Sequence, residues 1–160
     1  MMRVSKLKSL QEIIRVTSKE KKKGKKVVFT NGCFDLLHVG HVRYLRKARA
    51  LGDILVVGVN GDLSVRSLKC SGRPVTPEKE RAEVLSALES VDYVLFFKDK
   101  TPERLIRALR PDFLVKGGDW KKKDIIGGDF VESYGGKVRS LPFAKGFSTT
   151  RIIQKIKSIA

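Results

Sequence analysis

Cysteine, histidine and tryptophan are scarce in this chain: two Cys, two His and one Trp among 160 residues. Two cysteines, Cys33 and Cys70, supply no disulfide framework, so a reducing cytoplasm is the expected setting. Long apolar runs are missing too. No stretch approaches the ~20 residues that cross a bilayer, and Met1-Met2-Arg3-Val4-Ser5-Lys6 leads into an amphipathic segment rather than a signal-peptide core. Neither a membrane partner nor a secretory route is expected. Internal repeats and low-complexity linkers are also absent. The chain reads as one domain over 1–160, an N-terminal helix and basic turn over 1–24 followed by an α/β core over 26–158.

Negative charge is the other shortage: 17 Asp+Glu face 34 Lys+Arg, a net charge of +17. Such a balance fits nucleic acid, small anionic substrates, or the lysine-rich surface of a heat-adapted protein. The distribution separates these. Basic residues are spread along the chain, and the two short runs at 19–26 and 121–123 carry no interleaved aromatics on which bases would stack. Small anions are therefore expected rather than nucleic acid.

What is present is alternation. Leu7, Leu10, Ile13 and Ile14 have helical spacing, which predicts a helix over 5–19. Strand-type runs follow at 27–30, 54–59, 93–96, 113–115 and 138–141. The run Ile54-Leu55-Val56-Val57-Gly58-Val59 has no polar alternation, as in strands covered on both faces. Between the runs, helices are expected from Gly40 to Gly52, over 77–89, over 102–109 with Thr101 as cap, over 124–134 with a break near Gly127-Gly128, and over 149–158 capped by Ser148. Five strands alternating with helices predict a doubly wound, Rossmann-like parallel sheet. Ligands in such a sheet bind beyond the carboxyl ends of the strands, near the switch point.

Directly after the first strand stands Thr30-Asn31-Gly32-Cys33-Phe34-Asp35-Leu36-Leu37-His38-Val39-Gly40-His41. Strand, glycine-containing loop and helix start form an anion site, because first-turn N–H groups are unpaired and sit at the positive end of the macrodipole. Gly32 and Gly40 let backbone come close to a ligand. His38 and His41, the two histidines of the chain, are three apart and point the same way from a helical turn. There they can donate to oxygens that gain charge in phosphoryl-type transfer. A zinc pair would need further ligands from Cys33, Cys70 or carboxylates, and no second ligand pair exists. Histidines that merely pack the turn are the remaining reading.

These residues, with Val59-Asn60-Gly61-Asp62, Gly72-Arg73-Pro74-Val75, Glu80-Arg81, the segment 85–88 with Val91-Asp92, Leu114-Val115-Lys116-Gly117-Gly118-Asp119 and Phe147-Ser148-Thr149-Thr150, resemble the cytidylyltransferase-like nucleotidyltransferases. The likeness runs from Val27 to Ile156 and is greatest to the adenylyltransferase domain of ADP-heptose synthase. That resemblance implies AMP transfer from ATP to D-glycero-β-D-manno-heptose 1-phosphate, with magnesium carried by the triphosphate. The related domain is often fused behind a sugar kinase, which is not found here. Relatives that form dimers imply a homo-oligomer. A cytidylyltransferase or adenylyltransferase for another phosphorylated alcohol is the same-class alternative, and a basic nucleic-acid-binding module is the different-class one.

The resemblance distributes roles. His38, His41, Lys69 and Lys116 are the expected catalytic set, Lys69 through a family lysine that reaches phosphates, against the alternative of a solvated helix-end lysine. Thr30, Asn31, Gly32, Cys33, Phe34, Gly40, Arg81, Gly117, Gly118, Asp119, Phe147, Ser148 and Thr149 would hold the nucleotide. Gly117 and Gly118 suit the adenosine edge; Ser148 and Thr149 open a helix that can cradle the β- and γ-phosphates. Arg81 could instead be a surface residue paired with Glu78 or Glu80. Asp35, Asn60, Asp62 and Arg73 are candidates for the acceptor, although Asp35 could equally be a hydrogen-bonding residue of the turn. No protein metal ligand is expected. Trp120 matches an aromatic position of the family and could be a packing residue. Phe143 is a departure: the glycerol-phosphate relatives carry an arginine there.

Overall fold

The five apolar runs become five parallel strands in the computed structural model, which describes residues 5–69, 72–118, 120–144 and 146–159. They are β1 (Val27–Gly32), β2 (Ile54–Asn60), β3 (Tyr93–Phe97), β4 (Phe113–Gly117) and β5 (Lys137–Leu141), in the order β3-β2-β1-β4-β5. Among the described residues, the helices are α1 (Leu10–Lys21), α2 (Val39–Arg49), α3 (Asp62–Leu68), α4 (Glu78–Ala87), α5 (Glu103–Leu109), α6 (Gly128–Ser133) and α7 (Thr149–Ile159). The order reverses between β1 and β4, as in a doubly wound Rossmann-like sheet.

Successive residues of each strand face opposite sides, and both sides are covered. Val27, Phe29, Ile54, Val56 and Leu114 pack with Ile13 of α1, Leu105 and Ile106 of α5 and Val131 of α6. Val28, Leu55, Val57, Val59 and Val115 pack with Tyr44, Leu45 and Ala48 of α2 and Ala82 and Leu85 of α4. All seven residues of β2 are buried, which is why its sequence is an unbroken apolar run. Burying a Val or Leu side chain is worth roughly 1.5–3 kcal/mol, so this double cover dominates the cohesion of the domain.

The register around β1 creates the site. β1 stays paired with β2 as far as Gly32–Val59, but its pairing with β4 stops at Thr30–Val115. Beyond Thr30 the two strands no longer share a ladder, and their last residues, Asn31-Gly32 and Lys116-Gly117, flank a crevice at the switch point. Nothing else in the sheet separates neighbours in this way.

Several elements differ from expectation. α1 starts at Leu10, not at residue 5, because Ser9 and Glu12 form a capping box and residues 6–8 run along the β3 edge. There Lys8 N–H donates to Val94 O at 3.0 Å and Val94 N–H donates to Lys6 O at 2.9 Å. An edge strand's unpaired groups outweigh the helical spacing of Leu7. α3 is a helix the pattern did not foretell, since Leu63 and Leu68 face solvent and only Ser64 and Val65 are buried. Thr101 is not the cap of α5; Pro102 holds that position with no side-chain bond. The helix expected over 124–134 divides into a 3-10 turn at Lys122–Asp124 and α6, separated by Gly127 at φ +80°.

Candidate active site

The loop from β1 to α2 brings the histidines over the crevice. His38 is extended (φ −139°, ψ 171°) at the N-cap of α2, and His41 sits one turn on. Their rings stack, centroids 3.9 Å apart and planes 24° off parallel. The His38 N–H faces His41 Nδ1 at 3.4 Å, which leaves Nε2 of His41 as the protonated nitrogen. Phe34, held at φ +47°, presents its ring edge to His41 at 5.4 Å. A non-glycine residue in this region is an outlier that functional loops often retain. Gly40 is required by this packing: a Cβ there would lie 2.9 Å from the His38 ring and 3.2 Å from Phe147 Cβ.

Burial disfavours charge on both rings. Desolvation pushes the His41 pKa from 6.5 down to about 4, with the His38 charge a smaller cause, and lowers His38 as well. Both imidazoles are neutral donors at pH 7. The Nδ1 of His38 is buried without a hydrogen-bond partner among the described residues.

Cations ring the crevice floor. Lys116, from the end of β4, reaches Asn31 Oδ1 at 3.4 Å, and desolvation lowers its pKa. Burial raises the Cys33 thiol, while the charges of Lys69, Arg81 and Lys116 pull it back. That shared influence gathers three basic groups around one half-buried cysteine. Lys69 itself is exposed at the end of α3.

Arg81 is not a surface partner of Glu78 or Glu80. It is 2% exposed, and its guanidinium donates to Thr76 O, Cys33 O, Asn60 O (2.9 Å) and Asp62 Oδ1 (2.8 Å). One side chain thereby ties the ends of β1 and β2 to the start of α3 and the segment before α4. Asp35 and Arg73 pair with each other, Oδ2 to Nη1 at 2.7 Å. Asp35 Oδ1 also accepts the N–H groups of Val75 and Thr76. Desolvation pushes that carboxyl up, but these N–H donors and Arg73 outweigh it and its pKa is lowered. Asn60 turns its carboxamide to Ser64 Oγ at 3.0 Å, and the Asp62 N–H donates to Glu78. Beside this knot a cavity of about 400 Å³ is lined in part by Asp62, Ser64, Arg66, Glu78, Lys79 and Lys98. It lies on the β2–β3 side of the crevice and not over the histidines.

The start of α7 closes the other side. Ser148 Oγ caps the helix by accepting Arg151 N–H at 3.1 Å, and Thr149 Oγ1 donates to Leu36 O at 3.2 Å. Phe147 lies against Gly40 and under the Arg43 guanidinium, so the first turns of α2 and α7 converge. Gly117 and Gly118 pass beneath the Phe143 ring. Asp119 lies outside the described residues, as does Cys70.

Sequence reasoning missed Tyr44 and Thr76. The buried Tyr44 hydroxyl is 2.6 Å from Thr30 Oγ1 and fixes α2 against β1; its place one turn after His41 was the available signal. Thr76 has no such signal, because it meets Asp35 across 41 positions of sequence. Among the described residues, no helix is long and apolar enough to cross a membrane.

Residues 29–155 match the family model described as Cytidylyltransferase-like. The chain is 54% identical over 154 residues to the Bifunctional protein HldE of Geotalea uraniireducens and 55% identical over 152 residues to that of Geobacter metallireducens. These alignments cover 96% and 95% of this chain but 31% of each relative, so the chain spans about a third of the curated proteins it matches. Among solved structures, a lipopolysaccharide core biosynthesis protein from Thermoplasma volcanium superposes with TM-score 0.64 at 27% identity, over 78% of this chain and 100% of its own. Pantothenate synthetase from Thermus thermophilus shares the fold at TM-score 0.63 and 14% identity, over 92% of this chain and 67% of its own. With the family's pattern matched across most of its length, this chain belongs to the cytidylyltransferase-like family and is a nucleotidyltransferase.

Proposed function

We propose that the chain transfers AMP from ATP to D-glycero-β-D-manno-heptose 1-phosphate, giving ADP-heptose and pyrophosphate in the cytoplasm. The observation that carries this reading is the parting of β1 and β4 beyond Thr30, with two stacked imidazoles at the start of α2 and Lys116 reaching Asn31 at the end of β1. High identity to the HldE proteins supports the acceptor, because over this length the sequence resemblance is to the adenylyltransferase part of ADP-heptose synthase.

In the proposed reaction an oxygen of the sugar phosphate attacks the α-phosphorus in line, the bond to the β-phosphate breaks, and pyrophosphate leaves. A phosphate monoester is already a nucleophile at neutral pH, so the protein's task is positioning and charge stabilisation. His41 Nε2–H and His38 donate to oxygens that gain charge. Lys116 from the end of β4 and Lys69 from the end of α3 balance the triphosphate, and the amide-rich starts of α2 and α7, with Ser148 and Thr149, hold its β- and γ-phosphates. Arg81 acts by positioning the loops. The carboxylates of Asp35 and Asp62 are each engaged by an arginine. They are thereby turned from a cation, and magnesium would be held mainly by the phosphates of the triphosphate that carries it, neutralising part of their charge. For the acceptor's anionic group, the cavity on the β2–β3 side offers the cations Arg66, Lys79 and Lys98 beside Asp62 and Glu78.

Incubation with ATP, magnesium and the heptose 1-phosphate should release pyrophosphate stoichiometrically with ADP-heptose. Turnover with CTP, or with another alcohol phosphate and not this one, would move the assignment within the family. Tight, steeply salt-dependent binding to generic DNA or RNA without turnover would favour the nucleic-acid reading.

A further inference from the structure

His38 caps α2 and His41 lies in its first turn, yet among the described residues neither ring is tied to the sheet by a hydrogen bond. What holds the rings is contact without direction. They stack on each other, His41 meets the edge of Phe34, and His38 lies against the bare Gly40. Direction enters one turn further on, at Tyr44. Its hydroxyl is 2.6 Å from Thr30 Oγ1, and among the described residues no other α2 side chain hydrogen-bonds to a strand. Thr30 is a rigid anchor. It is fully buried and is the last residue of β1 paired on both sides, with Val57 in β2 and Val115 in β4. Beyond it, β1 and β4 part. Tyr44 follows His41 by three positions, so the two share a helix face, about 4.5 Å apart along an axis that rises ~1.5 Å per residue.

Packing alone does not require these hydroxyls. Tyr44 belongs to the apolar cluster of Val28, Leu45, Val57, Val59 and Val115, where a Phe–Val pair of the same shape would leave no polar atom to satisfy. Replacing both partners of a buried hydrogen bond in that way is close to neutral for stability. Apolar surfaces slide over one another, whereas a hydrogen bond fixes distance and angle. Burial pushes the Tyr44 phenol up, so it stays protonated at neutral pH and the bond is kept. We propose that the Tyr44–Thr30 hydrogen bond is a positioning clamp for the transfer step: it sets the depth and rotation of α2 on β1, and so places the His38 and His41 imidazoles over the reacting phosphorus. This rests on the nucleotidyl-transfer reading and adds to it two buried residues that act through the histidines. The clamp bears on the transition state more than on binding. Misplacing a donor by about 1 Å can cost ~100-fold in rate, while the amide-rich helix starts still hold a triphosphate.

Tyr44→Phe and Thr30→Val each remove one hydroxyl, and the double variant removes both. Each single variant should lower kcat for pyrophosphate release from ATP and the heptose 1-phosphate about tenfold or more, with KM for ATP within about threefold of wild type. Each also leaves a buried hydroxyl unpaired and should unfold at lower urea. The double variant should regain the wild-type urea midpoint while its kcat stays low, a split that a purely structural bond would not give. Thr30→Ser, which returns the hydroxyl, should restore most of the kcat lost in Thr30→Val. In NMR spectra of the same proteins, the His38 and His41 Cε1–H resonances should move in Tyr44→Phe and in the double variant, and return towards their wild-type positions in Thr30→Ser. Wild-type kcat with unmoved resonances in folded Tyr44→Phe, or a kcat that recovers together with stability in the double variant, overturns the proposal. Resonances that move as expected in a protein whose wild type releases no pyrophosphate from the heptose 1-phosphate would leave the clamp standing and sink the acceptor assignment instead.

Discussion

The imidazoles of His38 and His41 lie ring on ring, 3.9 Å between centroids, at the entry of α2. Two cations cannot share that geometry outside bulk water, and burial already holds His41 at about 4. A triphosphate alongside would reverse the preference. The His41 Cε1–H resonance should therefore titrate with a midpoint that moves upward when ATP is added. A midpoint that stays near its free value would mean that the ring does not meet phosphate.

The same displacement has a stability consequence. In the unfolded chain His41 titrates near 6.5, against about 4 when folded. Between those values the unfolded state binds more protons, so stability falls as pH falls through that window, by about 3 kcal/mol in all, and is unaffected above it. Urea midpoints from pH 7.5 to 4 should show this decline, and His41→Gln should flatten that part of the curve. An identical slope in the variant would assign the decline to other groups.

Gly40→Ala separates folding from chemistry. Alanine is better than glycine inside a helix by up to ~1 kcal/mol, yet the new methyl would meet the His38 ring at 2.9 Å. A side-chain ring yields more readily than backbone, so the expected outcome is a near-wild-type melting temperature with turnover reduced tenfold or more. A fully active variant would show that the ring stack need not be held in this position.

Legibility followed the kind of contact. The sheet was readable because β2 is buried on both faces and spells that out in seven consecutive residues. The loop 30–41 was readable because strand, glycines and helix entry are contiguous. Arg81 was not: its partners are Cys33, Asn60, Asp62 and Thr76, and only the fold unites them. Asp35 and Arg73 were each assigned to the acceptor, with nothing in their spacing to say that they bind one another. α3 stayed hidden because a short helix with Leu63 and Leu68 in solvent has no apolar stripe.

Arg81→Met should therefore act as a folding mutation first. It removes four hydrogen bonds from a buried position and leaves the Asp62 carboxylate without its guanidinium. Removing one partner of a buried pair costs about 3–5 kcal/mol, and the partial exposure of Asp62 puts the expected loss at the lower end. Urea unfolding should read about 3 kcal/mol. A loss under about 1 kcal/mol, with weakened nucleotide binding, would return Arg81 to direct phosphate contact.

Lys116→Met should behave in the opposite way. The ammonium is desolvated at the end of β4, and among the described residues its hydrogen bond is to Asn31 Oδ1 at 3.4 Å, so folding gains little from it. Methionine occupies similar volume without charge, and the unfolding midpoint should stay level or rise. Turnover should fall by about 100-fold, because a fixed charge in a water-poor crevice acts on the charge developing during transfer. Asn31→Ala, which frees the ammonium without removing it, should lose much less. If Lys116→Met lowers stability and spares turnover, the lysine is a structural cation and the phosphates run elsewhere along the crevice.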